Sequence, residues 1–170
     1  MTTLLAIAIL MIVLATAAQA AHNSRPKHIS PAREHVVQTL NRGLYDTPMA
    51  WTGRELEAAG WKWHVHPAFL AAITGAESSF GAAACRTNRF NAAGLGSCGS
   101  AWTPPYFRSW AHFYDYFARM IRRQWPSARS PWDMHGYCVD AHGNDCPTWP
   151  GKVAGFMRRL FGVGPGVRYP

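Results

Sequence analysis

Acidic side chains are scarce: nine Asp and Glu stand against 17 Lys and Arg, for a formal net charge of +8 over 170 residues. Few carboxylates are therefore available for chemistry that needs two of them. The excess of cations draws the chain to polyanions such as an acidic cell wall, an anionic membrane or nucleic acid. After residue 20 no hydrophobic run approaches the roughly 20 residues that span a bilayer. No strong polar–apolar alternation marks a strand, and no segment repeats. No nucleic-acid reader motif occurs, which disfavours that partner. The basic residues are spread along the chain instead of forming one basic amphipathic helix, so a membrane-active protein fits poorly.

The N-terminus is a separate object. Leu4 to Ala18 is apolar apart from Thr16, and Ala18-Gln19-Ala20 supplies a small-residue cleavage pattern. Residues 1–20 are expected to be an export signal removed near Ala20, although the leading segment lacks Lys and Arg. An uncleaved anchor is the alternative. Residues 21–29 are polar and expected to be a flexible lead-in. Residues 30–170 then form one domain, large enough for a real core. The expected location is secreted, periplasmic or cell-wall. The four cysteines, Cys85, Cys98, Cys138 and Cys146, are an even count that reads as disulfides in an exported chain. Three connectivities are open, and proximity favours Cys85–Cys98 with Cys138–Cys146. His135, Cys138, His142 and Cys146 have metal-ligand spacing, but an oxidising compartment favours disulfides, so no metal is expected.

Helical periodicity dominates the rest. Ser30-Pro31 opens a helix with Val36, Val37, Leu40 and Leu44 on one face. Thr52-Gly53-Arg54-Glu55 matches a capping box for a helix that stops at Gly60. Trp61 and Trp63 fall in a linker, and His64 and His66 read as caps rather than metal ligands. Ser109 caps a helix striped with Trp110, Phe113, Tyr114, Phe117, Met120 and Ile121, with an Asp115–Arg119 pair behind. Ser130-Pro131 begins a short helix to about Tyr137. Between Cys138 and Cys146, Asp140, Asn144 and Asp145 lack EF-hand spacing and read as a turn. Pro150 opens the last helix, which ends at Gly162. The expected class is mainly α, six helices around one core, with an irregular excursion or small hairpin over residues 81–108.

One acid stands apart. Pro67 opens a helix on which Phe69, Leu70, Ile73 and Glu77 fall near one face, so Glu77 extends an apolar stripe into the last turn. An apolar wall and the negative helix end both disfavour its ionised form. A carboxylic acid kept protonated near neutral pH suits proton delivery to a glycosidic oxygen. The bland alternative is a solvated helix-end residue.

Glu77-Ser78-Ser79-Phe80-Gly81, followed by Asn91-Ala92-Ala93-Gly94-Leu95, resembles the bacterial lysozyme-like cell-wall hydrolases. These include soluble lytic transglycosylases, goose-type lysozymes and endo-β-N-acetylglucosaminidases. The resemblance implies a lysozyme-like domain that acts on peptidoglycan as a monomer without cofactor. It makes Glu77 the catalytic acid and puts Ser78, Asn91, Gly94 and Leu95 at the glycan groove. Tyr137 stands about where the family often places an active-site tyrosine. Trp102, Tyr106 and Phe107 border the excursion as sugar-stacking or packing aromatics. No second carboxylate lies close in sequence. Asp133 and Asp140, which flank Tyr137, are the candidates for a base. Without one, the substrate must supply its own nucleophile. Leu95-Gly96-Ser97 replaces the Met-Gln continuation usual in transglycosylases, which favours the glucosaminidase-like branch. The competing class is a cell-wall binding module without turnover.

Overall fold

Proline and serine set several helix starts, as the sequence suggests, but the buried run of residues 67–75 governs the packing. The computed structural model describes residues 29–96 and 106–169. The expected signal at 1–20, Cys98 and Trp102 lie outside the described residues. From Pro31 onward the chain forms one compact unit.

Among the described residues there are five α-helices and one 3-10 turn. They are α1 (Pro31–Gly43), α2 (Gly53–Trp63), α3 (Pro67–Ser78), α4 (Trp110–Gln124) and α5 (Trp149–Phe161), with the turn at Pro131–Asp133. The chain is mainly helical, and among the described residues the β pairing is two isolated bridges, Val65 with Arg168 and Val139 with Asp145. No described helix is long and apolar enough to cross a membrane.

Helix α3 is the centre. Every residue from Pro67 to Gly75 is buried, so the helix is enclosed on all faces rather than along one stripe. A helix apolar all round belongs inside a core. Burying side chains such as Phe69, Leu70 and Ile73 contributes about 1.5–3 kcal/mol each. Helix α5 packs along α3, with α2 and α4 against its other sides. The His66 side chain caps the helix by accepting from Ala68 N–H at 3.2 Å, with Pro67 in the first turn, as expected.

Several expectations are corrected. Helix α2 does not stop at Gly60. It runs to Trp63 and ends where His64 turns left-handed (φ 55°). Gly60 is instead a close approach: a Cβ there would sit 2.6 Å from the Val65 carbonyl oxygen. Thr52 makes no capping bond to α2. Its hydroxyl donates to the Met49 carbonyl or pairs with the Tyr114 hydroxyl, each at 2.7 Å. Asp115 reaches across to Lys62 and to the Trp63 indole N–H, at 2.6 and 2.9 Å, rather than along α4 to Arg119. The sixth helix shrinks to the 3-10 turn, because the Asp133 carboxylate binds the Arg129 and Ser130 N–H groups and closes one turn only. Among the described residues 81–96 there is no hairpin. The stripe on α4 is core as read, with Phe113, Tyr114, Phe117 and Ile121 buried.

Cys138 and Cys146 are bonded, with Cα atoms 5.4 Å apart, around a turn held by the Val139–Asp145 bridge. Cys85 is also disulfide-bonded.

Gly75 tests this packing. A Cβ at that position would lie 2.4 Å from Phe80 Cζ. Gly75→Ala should destabilise the protein by about 1–3 kcal/mol, the usual cost of overpacking a filled core. Chemical denaturation measures it. A variant as stable as wild type would show that Phe80 is free to move.

Candidate active site

The site begins where α3 ends. Ser79, Phe80 and Gly81 have φ of 51°, 57° and 90°, three successive left-handed residues. Only glycine adopts that region without steric cost, and each of the other two carries roughly 1–2 kcal/mol of strain. The packing of Phe80 over Gly75 and edge-on against Phe156, 5.2 Å between ring centroids, holds the turn. The Ser79 and Phe80 N–H groups return to the Gly75 and Thr74 carbonyls and satisfy the helix terminus. Glu77 is thereby left on the rim of the core.

The Glu77 side chain is exposed rather than pointing into the core, yet one carboxyl oxygen is tied inward. Oε1 accepts from the Trp149 indole N–H at 2.7 Å. Trp149, buried at the start of α5, stacks on Tyr137 with centroids 4.8 Å apart. Trp125 also packs against Tyr137, tilted, at 5.6 Å between centroids. The Tyr137 hydroxyl is buried and has no hydrogen-bond partner among the described residues. Lys152, one turn along α5 from Trp149, donates to the Ala76 carbonyl at 2.9 Å.

Burial pushes the Glu77 carboxyl above its ordinary value, against the opposing pull of the Trp149 hydrogen bond and the Lys152 charge. Loss of hydration outweighs a single donor and a cation at the solvent edge. The Tyr137 hydroxyl is held far above its ordinary value by burial and then by the negative charge of Glu77, so it stays protonated.

The Asn91–Leu95 segment is fixed to the same helix end. Ser78 is buried, and its hydroxyl donates to the Ala92 carbonyl at 2.6 Å while accepting from Gly81 N–H at 2.9 Å. The buried Asn91 amide closes on Leu95 in both directions, donating to its carbonyl at 2.9 Å and accepting its N–H at 3.0 Å. Ser78 and Asn91, expected to bind substrate, therefore spend their polar groups on holding the loop. Leu95 is half-buried against the core. Gly94 is exposed, left-handed (φ 63°), and has nothing within 4 Å of where a Cβ would stand.

The structure brings Glu77, Tyr137 and the Asn91–Leu95 loop around one helix end, and does not bring in a second acid. Asp133 accepts the two N–H groups of its own turn, which hold it below the ordinary carboxylate range. Asp140 accepts from the His142 and Asn144 N–H groups and is likewise lowered. Phe107 is core, whereas Tyr106 is exposed. Among the described residues no group of three or more His, Cys, Asp and Glu is placed to hold a metal ion. Sequence reasoning missed Trp149 and Lys152. The available signal was a donor-bearing aromatic directly before Pro150, the residue that sequence reasoning took as the helix start.

No family model, curated protein or solved structure matches the chain.

The raised pKa of Glu77 fixes a sign. Its contribution to stability is complete below the ordinary glutamate value and is lost as pH rises through the raised folded value. Lys152→Met removes a charge that favours the carboxylate, so the Glu77 titration should move to higher pH. Carboxyl NMR titration reads it directly. A midpoint unmoved or lowered in the variant would contradict this account of the site.

Proposed function

We propose that the chain is an exported peptidoglycan glycosidase of lysozyme-like fold, with Glu77 as general acid. The observation that carries it is a carboxyl with a raised pKa on the rim of a buried helix, beside a loop pinned to that same helix end. The order Glu77-Ser78-x-x-Gly81 then Asn91-x-x-Gly94-Leu95 supports the reading. So does the +8 charge, which suits an acidic wall polymer. The protein would act as a monomer outside the cytoplasm, after cleavage near Ala20, without cofactor.

With Asp133 and Asp140 occupied by turns, a mechanism with one protein carboxyl is favoured. Glu77 gives its proton to the glycosidic oxygen as the C1–O bond breaks. The carbonyl oxygen of the substrate's own 2-acetamido group bonds to C1 and disperses the positive charge in an oxazolinium ring. Water then adds to C1, the ring opens, and the Glu77 carboxylate takes the proton back. Both wall sugars carry that group, so the choice of the N-acetylglucosamine side rests on Asn91-Ala92-Ala93-Gly94. Gly94 leaves the loop surface open to a sugar, and the unpartnered Tyr137 hydroxyl is a donor within the same cluster. The saturated aspartates also favour a second reading, a wall-binding module without turnover.

Glu77→Gln keeps the acceptor for Trp149 and removes the acid. Release of soluble muropeptides from purified walls should fall at least about a thousandfold. At pH 7 the variant should melt no lower than wild type, because it no longer carries a carboxylate that burial disfavours. Mass spectrometry of the fragments should find reducing N-acetylglucosamine ends. Reducing N-acetylmuramic acid or 1,6-anhydro ends would overturn the bond choice. Binding of walls by wild type without any release would leave the module reading standing.

A further inference from the structure

On the surface formed by α1 and the turn after it lies an open groove of about 780 Å³ that none of the Glu77 cluster lines. Its walls are His35, Gln38, Asn41, Arg42, Tyr45 and Trp51. The two aromatics are unusual for their exposure, 60% for Tyr45 and 69% for Trp51. Their rings meet edge to face, 5.9 Å between centroids and 83° apart, which makes a right-angled apolar corner. Trp51 is held out by a left-handed backbone (φ 66°), a conformation that a bulky residue rarely adopts. The turn is locked around it: Thr47 donates its hydroxyl to the Leu44 carbonyl and accepts from Met49 N–H, while Thr52 N–H returns to the Met49 carbonyl. The corner is thus preorganised rather than a flexible loop tip.

The polar lining is equally specific. The Asn41 side-chain oxygen is taken by Gly53 N–H at 2.9 Å, and its amine makes no bond within the protein. Gln38 makes none with either end. Arg42 has only a 3.4 Å contact to the Thr39 hydroxyl and no ion pair. Among the described residues no carboxylate lines the groove. An aromatic corner with a few amide and guanidinium donors fits a ligand with an apolar ring face and carbonyl acceptors.

We propose that this groove is a second saccharide site, one that holds an N-acetylated glycan strand away from the Glu77 centre. The apolar face of a pyranose ring would lie on Trp51, bordered by Tyr45, with acetamido carbonyls accepting from Asn41, Gln38 and Arg42. The choice of an N-acetylated glycan rests on the glycosidase reading; the corner and its donors do not. The site would keep the protein on a polymer between cuts, since a second contact on one strand raises the effective concentration at the first.

The test is a titration of the full chain with a short chito-oligosaccharide at millimolar concentration, followed by indole and tyrosine NMR signals. The Trp51 indole signal is assigned by its absence in Trp51→Gly, a substitution the left-handed backbone accommodates, so the variant should fold at least as stably as wild type. The proposal expects the Trp51 and Tyr45 signals to move saturably, and the Tyr45 response to weaken about tenfold or more in Trp51→Gly. A stationary Trp51 signal overturns it, as does a Tyr45 response unchanged in the variant. Movement of Trp51 with protein concentration alone would assign the corner to a second copy of the chain and overturn it too. A Trp149 signal that moves while Trp51 does not removes this site and spares the glycosidase reading. The reverse removes the Glu77 groove and keeps this one.

Discussion

Enclosure of α3 on every face is the constraint on which the rest depends. A helix with no solvent side must be surrounded, and α2, α4 and α5 do the surrounding. It also leaves the core abruptly, with Glu77 exposed in its last turn. The left-handed run Ser79-Phe80-Gly81 is that exit. Its strain is tolerated because Phe80 drops onto Gly75, where any larger residue would collide. Position, pKa and loop geometry at Glu77 all descend from this one termination.

Local signals were legible where a single residue type has a single physical role. Pro67 and Pro150 in first turns, Gly162 as a left-handed cap and the aromatic face of α4 stand as read. The disulfide between Cys138 and Cys146 followed from proximity. What failed were motifs whose residues had stronger partners far away. Thr52 abandons its cap for Tyr114, 62 residues on, and Asp115 leaves Arg119 for Lys62. Gly60 looked like a stop because glycine ends helices, but here it makes room for the Val65 carbonyl. In each case tertiary contact overrode a local preference.

At the candidate site the sequence marked Glu77, Tyr137 and the Asn91–Leu95 loop, and did not show what Ser78 and Asn91 bond to. Both are buried and face the protein. Their polar groups carry loop geometry, so losing either would shift Gly94 and Leu95. Trp149 was illegible because it lies 72 residues from Glu77, and no periodicity links them.

Two glutamates show how the same residue type is sorted. Glu57 is 1% exposed, and both its oxygens are taken by the Arg33 guanidinium. The Tyr169 hydroxyl stands beside it at 3.5 Å, where the C-terminal segment crosses the start of α3 through the Val65–Arg168 bridge. That acid is fully compensated, and removing Arg33 would strand a buried charge. Glu77 has the opposite arrangement. One neutral indole donor binds one oxygen, the nearby cation is engaged with a backbone carbonyl, and the second oxygen faces outward without an ion pair among the described residues. Partial desolvation with incomplete pairing raises the Glu77 carboxyl and leaves it poised. In a chain so poor in carboxylates, the acid left poised at an open edge is the one suited to proton transfer.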